Sequence, residues 1–122
     1  MDTCDHSHVS YDLAVWDGEQ PSNDEAGAVF DELYERYLES EDLIVEPSPR
    51  IEAYIKALVD RYPDHLPGSP WASPPVIDEA SGPMVYLLMS YSRAEEVSEY
   101  AAALAREHGL VCYDPQGETL RD

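Results

Sequence analysis

The run from Met84 to Asp114, Met84-Val-Tyr-Leu-Leu-Met-Ser-Tyr-Ser-Arg-Ala-Glu95 continuing through His108-Gly-Leu-Val-Cys-Tyr-Asp114, carries the clearest structural signals in the chain. Met84 to Tyr91 is an almost unbroken apolar segment, the pattern of a central strand with both faces covered or nearly so. Ser92-Arg-Ala-Glu95 matches a capping box, in which a serine hydroxyl and a glutamate carboxylate each satisfy an exposed backbone donor. The helix it opens runs to about His108, with Val97, Tyr100, Ala101, Leu104 and Ala105 as its buried stripe. Gly109 fits the left-handed residue that ends such a helix, and Leu110 to Asp114 reads as a further strand. Glu118 to Leu120 could extend it briefly.

Upstream, Val9 to Trp16 alternates, with Val9, Tyr11, Leu13 and Val15 on one side and Ser10, Asp12, Ala14 and Trp16 on the other, which predicts a strand. Turn chemistry follows, and Ser22, Asn23 or Asp24 can cap a helix from about Asp24 to Ser40. Its apolar positions are Ala26, Val29, Phe30, Leu33, Tyr34, Tyr37 and Leu38, and its outer face is almost purely negative. After a link at Glu41 to Glu46, Ser48-Pro49 reads as an N-cap with proline at the first helical position. Ile51, Tyr54, Ile55, Leu58, Val59 and Tyr62 give that helix its stripe, and Pro63 stops it. Asp64 to Pro75 holds four prolines and Trp71, a loop pinned by the tryptophan. Pro75 to Glu79 is the weakest expected element, a short edge strand, with Ala80-Ser-Gly-Pro83 as the turn into the central strand.

The order is strand, two helices, strand, strand, helix, strand. It predicts an α+β fold of the ferredoxin-like split βαβ type, with the first crossover helix doubled. The right-handed crossover rule places the helices on one face of a four-stranded antiparallel sheet. The other face is then open, exposing Asp12, Trp16 and some of Met84, Tyr86, Leu88 and Ser90 as a docking patch. Residues 1–8 read as a flexible polar leader and 9–122 as one domain.

The chain has 122 residues, a size that supports one core, and 43% hydrophobic residues, too many for a disordered acidic tail. Its 26 Asp and Glu against 7 Lys and Arg give a net charge of -19. Residues 1–46 carry 14 acids and only Arg36 as a base, so the field is concentrated on the leader, the first helix and its link. Such a surface repels phosphate backbones and anionic membranes, which argues against direct nucleic-acid binding and for a basic protein partner. The bland reading of the same charge is a solvated face that keeps the protein soluble. Without a charged-then-apolar leader or a long apolar run, a cytoplasmic protein is expected, with Cys4 and Cys112 as free thiols.

Chemistry-bearing motifs are sparse. Cys4, His6 and His8 alternate, a soft donor set suited to zinc or copper but short of a fourth ligand, so the leader reads as a mobile tail and no metal or cofactor is expected. His65 lies in the Pro-rich loop without a nucleophile or phosphate cradle beside it. His108 reads as a C-terminal helix cap rather than a catalytic base. Asp78-Glu79 and Asp114 are carboxylates at strand ends, where turn-starting roles explain them without acid–base work. Nine tyrosines against one phenylalanine read chiefly as core rings with hydroxyls at the rim.

Ser10-Tyr-Asp-Leu-Ala-Val-Trp16, Ser69-Pro-Trp-Ala72, Ala80-Ser-Gly-Pro83, Ser92-Arg-Ala-Glu-Glu-Val97 and His108-Gly-Leu-Val-Cys-Tyr-Asp-Pro-Gln116 give the chain a likeness to others. From Val9 onward it resembles a family of small acidic bacterial proteins with no settled activity. These are strand and cap sequences, so the resemblance implies a single intact domain and no active-site residue. In size, acidity and lack of chemistry the chain is also similar in type to immunity proteins of bacterial toxin systems. The functional expectation is a non-enzymatic immunity or inhibitor protein that occludes a basic toxin or nuclease-like partner. Glu25, Asp31, Glu32, Glu35 and Glu39 would steer the encounter, with Trp16 and Trp71 as anchors. The alternative is a small ligand-binding or enzymatic domain that uses the open sheet face and the 64–75 loop, with His65, Tyr86 or His108 as polar groups.

Overall fold

The computed structural model describes residues 10–39, 45–63, 70–71, 76–90, 93–115, 117 and 119–121. In chain order these form β1 (Ser10–Trp16), α1 (Asn23–Leu33) continued by a π-helical turn (Tyr34–Glu39), α2 (Pro49–Arg61), a 3-10 turn (Val76–Glu79), β2 (Ala80–Ser81), β3 (Met84–Ser90), α3 (Ala94–Glu107), β4 (Val111–Asp114) and β5 (Thr119–Leu120). The strands make one antiparallel sheet in the order β2-β3-β1-β4-β5. Among the described residues the fold is a mixed α+β one with three α-helices and five strands, one strand more than the sequence predicts. The addition is β5, whose Leu120 pairs with Tyr113 and lengthens the sheet by one short edge.

Sequence chemistry accounts for the element ends. Ser48 accepts a hydrogen bond on its Oγ from the Ile51 amide at 3.3 Å, and Pro49 fills the first helical position of α2. Gly109 holds φ at +72° after α3, where a side chain would be strained. The start of α3 differs from expectation: Arg93 is the N-cap and makes no side-chain cap bond, while Ser92 lies outside the described residues. The edge strand is also displaced. Val76–Glu79 is a 3-10 turn, and the strand falls on Ala80–Ser81. The reason is the hairpin: with Ser81 opposite Met84, the loop is the two residues Gly82-Pro83, and Gly82 takes the φ of +56° that a primed turn requires.

The largest correction concerns the sheet's two faces. Tyr11, Leu13 and Val15 stand opposite Met89, Leu87 and Val85, and this face packs against α2 and α3 through Ile51, Tyr54, Leu58, Val97, Ala101 and Ala105. The second face, expected to be open, is covered by α1. Ala14, Trp16, Met84, Val111 and Tyr113 pack there against Ala26, with Val29, Phe30 and Leu33 alongside. Trp16 and Met84 are consequently 2% and 0% exposed. Ile77 is the one exposed large hydrophobic residue among those described, and Tyr86 and Leu88 on this face are half-buried, so the expected open apolar patch is not found among the described residues. Gly27 allows the close approach of α1, because a Cβ there would meet the Tyr113 hydroxyl at 3.2 Å.

Candidate docking face and polar cleft

With its apolar stripe turned to the sheet, α1 directs its acids to water. Asp24, Glu25, Asp31, Glu32 and, in the π-helical turn, Glu35 are all exposed. Glu32 meets Arg36 at 3.8 Å, one helical turn on, but Glu25, Asp31 and Glu35 have no cationic partner among the described residues. The side chain of Glu39 lies outside the described residues. Beneath these acids the rings form a chain. Phe30 stacks on Tyr86 with centroids 6.0 Å apart, approaches Tyr113 at 5.4 Å and touches Tyr34, which meets Tyr86 edge-on at 5.4 Å. A recess of about 270 Å³ opens at this point, lined by Gly27, Phe30, Asp31, Tyr113 and Pro115. It sets two aromatic rings beside a carboxylate that has no cationic partner among the described residues, which suits a basic side chain.

Neither tryptophan can anchor a partner. Trp16 lies under α1 with its ring 6.0 Å from Tyr113, and Trp71 is 5% exposed. Trp71 donates its indole N–H to the Tyr62 carbonyl at 2.7 Å and bridges to Met89, so it closes the edge of the sheet beyond the end of α2. The reason is tertiary: both indoles find apolar partners within the chain and are not free to bury surface on another molecule. The remainder of the Pro-rich loop, at 64–69 and 72–75, lies outside the described residues, as do His65, Cys4, His6 and His8.

A second concavity lies on the other side of the sheet, where β1 passes the first turns of α3. It is a cleft of about 400 Å³ lined by Tyr11, Ala94, Glu95, Ser98, Glu99 and Arg121. Tyr11 donates its hydroxyl proton to Asp114 Oδ2 at 2.6 Å and accepts from the Arg121 guanidinium at 2.9 Å. Burial, followed by the bond to Asp114 and its charge, pushes the Tyr11 hydroxyl up to about 12, so it remains a neutral donor at physiological pH. Asp114 also accepts the Gly117 amide on Oδ1 at 3.2 Å, the turn-starting role its sequence position predicts. It does not join Asp78 and Glu79 in a carboxylate pair: β3 and β1 separate the two segments.

The other candidate groups have structural work. His108 is the C-cap of α3 and lies edge-on to Tyr54 at 5.9 Å. Tyr86 donates to Asp12 at 2.9 Å, and burial and that bond raise its ionisation far above the usual range. Cys112 is a buried free thiol pushed up to about 12 by desolvation, the environment of an inert cysteine. Among the described residues no three His, Cys, Asp or Glu gather as a metal-holding group. No helix of the described residues is long and apolar enough to cross a membrane. Comparison with protein-family models, with curated proteins and with solved structures finds no match to this chain.

Proposed function

We propose that the protein is a non-enzymatic binding protein of the immunity or inhibitor type, which docks the acidic face of α1 on a basic protein surface and occludes it. The observation that carries this reading is the arrangement of α1: an outer face of carboxylates mostly without cationic partners among the described residues, next to a recess floored by Phe30 and Tyr113. Long-range attraction from a chain of net charge -19 speeds encounter with a basic partner. The recess then receives one lysine or arginine side chain against two rings, with Asp31 at its rim. Residues of an enzyme that grips nucleic acid or another anionic substrate meet this description, and blocking its cleft needs no chemistry from the inhibitor.

We infer in addition that the core is ferredoxin-like. The segment β4-β1-β3-β2, antiparallel throughout, supports a ferredoxin-like split βαβ core, to which α1 is added on the second face and β5 at one edge. A cytoplasmic location also goes with it, supported by the free thiol of Cys112. The competing reading, a small ligand-binding or enzymatic domain that uses the open sheet face and the 64–75 loop, loses the first of these surfaces to α1, while most of the loop lies outside the described residues.

The test is retention of partners from a lysate of the source cell, followed by association kinetics with any basic protein recovered. Replacing Glu25, Asp31, Glu32, Glu35 and Glu39 by their amides is expected to slow association about tenfold or more at low salt and little at high salt. An association rate that is unchanged at low salt sinks the steering mechanism.

A further inference from the structure

Independently of the docking face, we infer that the cleft between β1 and the first turns of α3 binds a small zwitterion, a free α-amino acid, with its carboxylate on Arg121 and its ammonium between Glu95 and Glu99. The two walls carry opposite charge. On one, Glu95 and Glu99 lie one helical turn apart, both exposed, and neither has a cationic partner among the described residues. On the other, Arg121 makes a single side-chain hydrogen bond among the described residues, to the Tyr11 hydroxyl, which leaves most of its five N–H donors for a ligand.

The guanidinium is held in position. Tyr11 spends its one proton on Asp114, so its oxygen faces Arg121 as an acceptor, and Asp114 is in turn fixed by the Gly117 amide. The Arg121 backbone is fixed as well, with its amide donating to the Cys112 carbonyl at 2.8 Å. A planar fork set in place in this way loses less freedom when it binds a carboxylate than a free surface arginine does. The floor between the walls is small and apolar at Ala94, and Ser98, 4% exposed, lines it with a hydroxyl whose contact to the Glu95 carbonyl is a long 3.3 Å.

The charge pattern selects the ligand class. A simple anion on Arg121 would share the cleft with the carboxylates of Glu95 and Glu99, and a simple cation on those would share it with the guanidinium. A molecule bearing both charges satisfies each wall and adds no net charge to the site. The volume of about 400 Å³ lies at the small end of ligand pockets, which fits an amino acid rather than a nucleotide or cofactor.

The experiment uses the whole chain and the standard L-amino acids, screened one at a time at about 10 mM by thermal shift, with calorimetric titration of the best. The N-acetyl and amide derivatives of that amino acid, each lacking one charge, are the controls. A shift with the free amino acid and none with either derivative is the expected result. Glu95→Gln with Glu99→Gln, both at exposed positions that the fold does not need, is expected to weaken binding about tenfold, and Arg121→Gln at least as much. No shift with any amino acid overturns the proposal. So does equal binding of the one-charge derivatives, or a Glu95→Gln/Glu99→Gln variant that binds like the parent.

Discussion

The two faces of the sheet are built from different materials. The face under α2 and α3 is mainly aliphatic and deep: Leu13, Val15, Val85, Leu87 and Met89 meet Ile51, Leu58 and Val97, nearly all of them fully buried. The face under α1 is mainly aromatic and shallow, and α1 contributes a single fully buried residue, Ala26, while Val29, Phe30 and Leu33 remain half-buried. Burial stabilises in proportion to apolar area, so the first face holds the fold together and the second holds one helix against it. A surface helix held loosely, with its acids outward, is suited to meeting a partner. A helix at the centre of the core is not.

Truncation of Leu58, which is fully buried on α2, is the strongest way to break that contrast. Leu58→Ala is expected to cost about 3 kcal/mol in chemical denaturation, because the lost transfer energy is joined by a cavity the core cannot close. Phe30→Ala on the α1 face is expected to cost about 1–2 kcal/mol, since its ring is already half in water. Hydrogen exchange checks the same contrast without mutation: amides of α1 are expected to exchange through smaller openings than those of α3. Equal costs and equal protection would mean that α1 is an integral part of the core.

Gly82→Ala ranks between Leu58→Ala and Phe30→Ala, at about 2–3 kcal/mol. The hairpin fixes φ at +56° there, and a Cβ would meet the Tyr37 ring at 2.8 Å. Since Tyr37 belongs to the π-helical turn after α1, this position ties the end of that segment to β2. In a Tyr37→Ala background the steric part of the cost is expected to disappear and the left-handed backbone part to remain, which a double-mutant cycle in denaturant measures. A full cost in both backgrounds would show that the ring moves aside without difficulty.

Periodicity made β1, α2, β3 and α3 legible, because each repeats its pattern over two turns or more, or over a whole strand, and cap residues marked the start of α2 at Ser48 and the end of α3 at Gly109. The short elements were not legible. Ala80–Ser81 has two residues, too few for alternation, and it can be placed only once Gly82-Pro83 is known to be the whole loop. The side on which α1 packs was not legible from α1 itself, because an amphipathic helix reads alike against either face. The signal lay in the sheet: β3 is apolar at Met84, Tyr86 and Leu88 as well as at Val85, Leu87 and Met89, and β1 places Ala14 and Trp16 opposite that second row. Strands apolar on both sides require two covers. The acids of α1 were readable from sequence because exposure follows from their type and spacing. The cleft was not, since Tyr11 and Arg121 lie 110 residues apart and nothing local marks them as partners.

The smallest effect sharpens the comparison at its edges, where each face is closed by a tyrosine donating to an aspartate. On the aliphatic side Tyr11 donates to Asp114 at 2.6 Å, and on the aromatic side Tyr86 donates to Asp12 at 2.9 Å. Both hydroxyls are raised, first by burial and then by the acceptor carboxylate, Tyr11 to about 12 and Tyr86 beyond the usual range. A raised tyrosine is stabilised in its protonated form by folding. Its contribution is therefore complete below the ordinary value near 10 and is lost as the pH rises through the folded value. In an ultraviolet titration both Tyr11 and Tyr86 are expected to ionise above the ordinary tyrosine value near 10, with Tyr86 the later of the two. Asp12→Asn removes the charge beside Tyr86 alone, so its ionisation is expected to move to lower pH while Tyr11 stays near 12. A coupled shift of both would show that the two faces, different as they are in material, open as one unit.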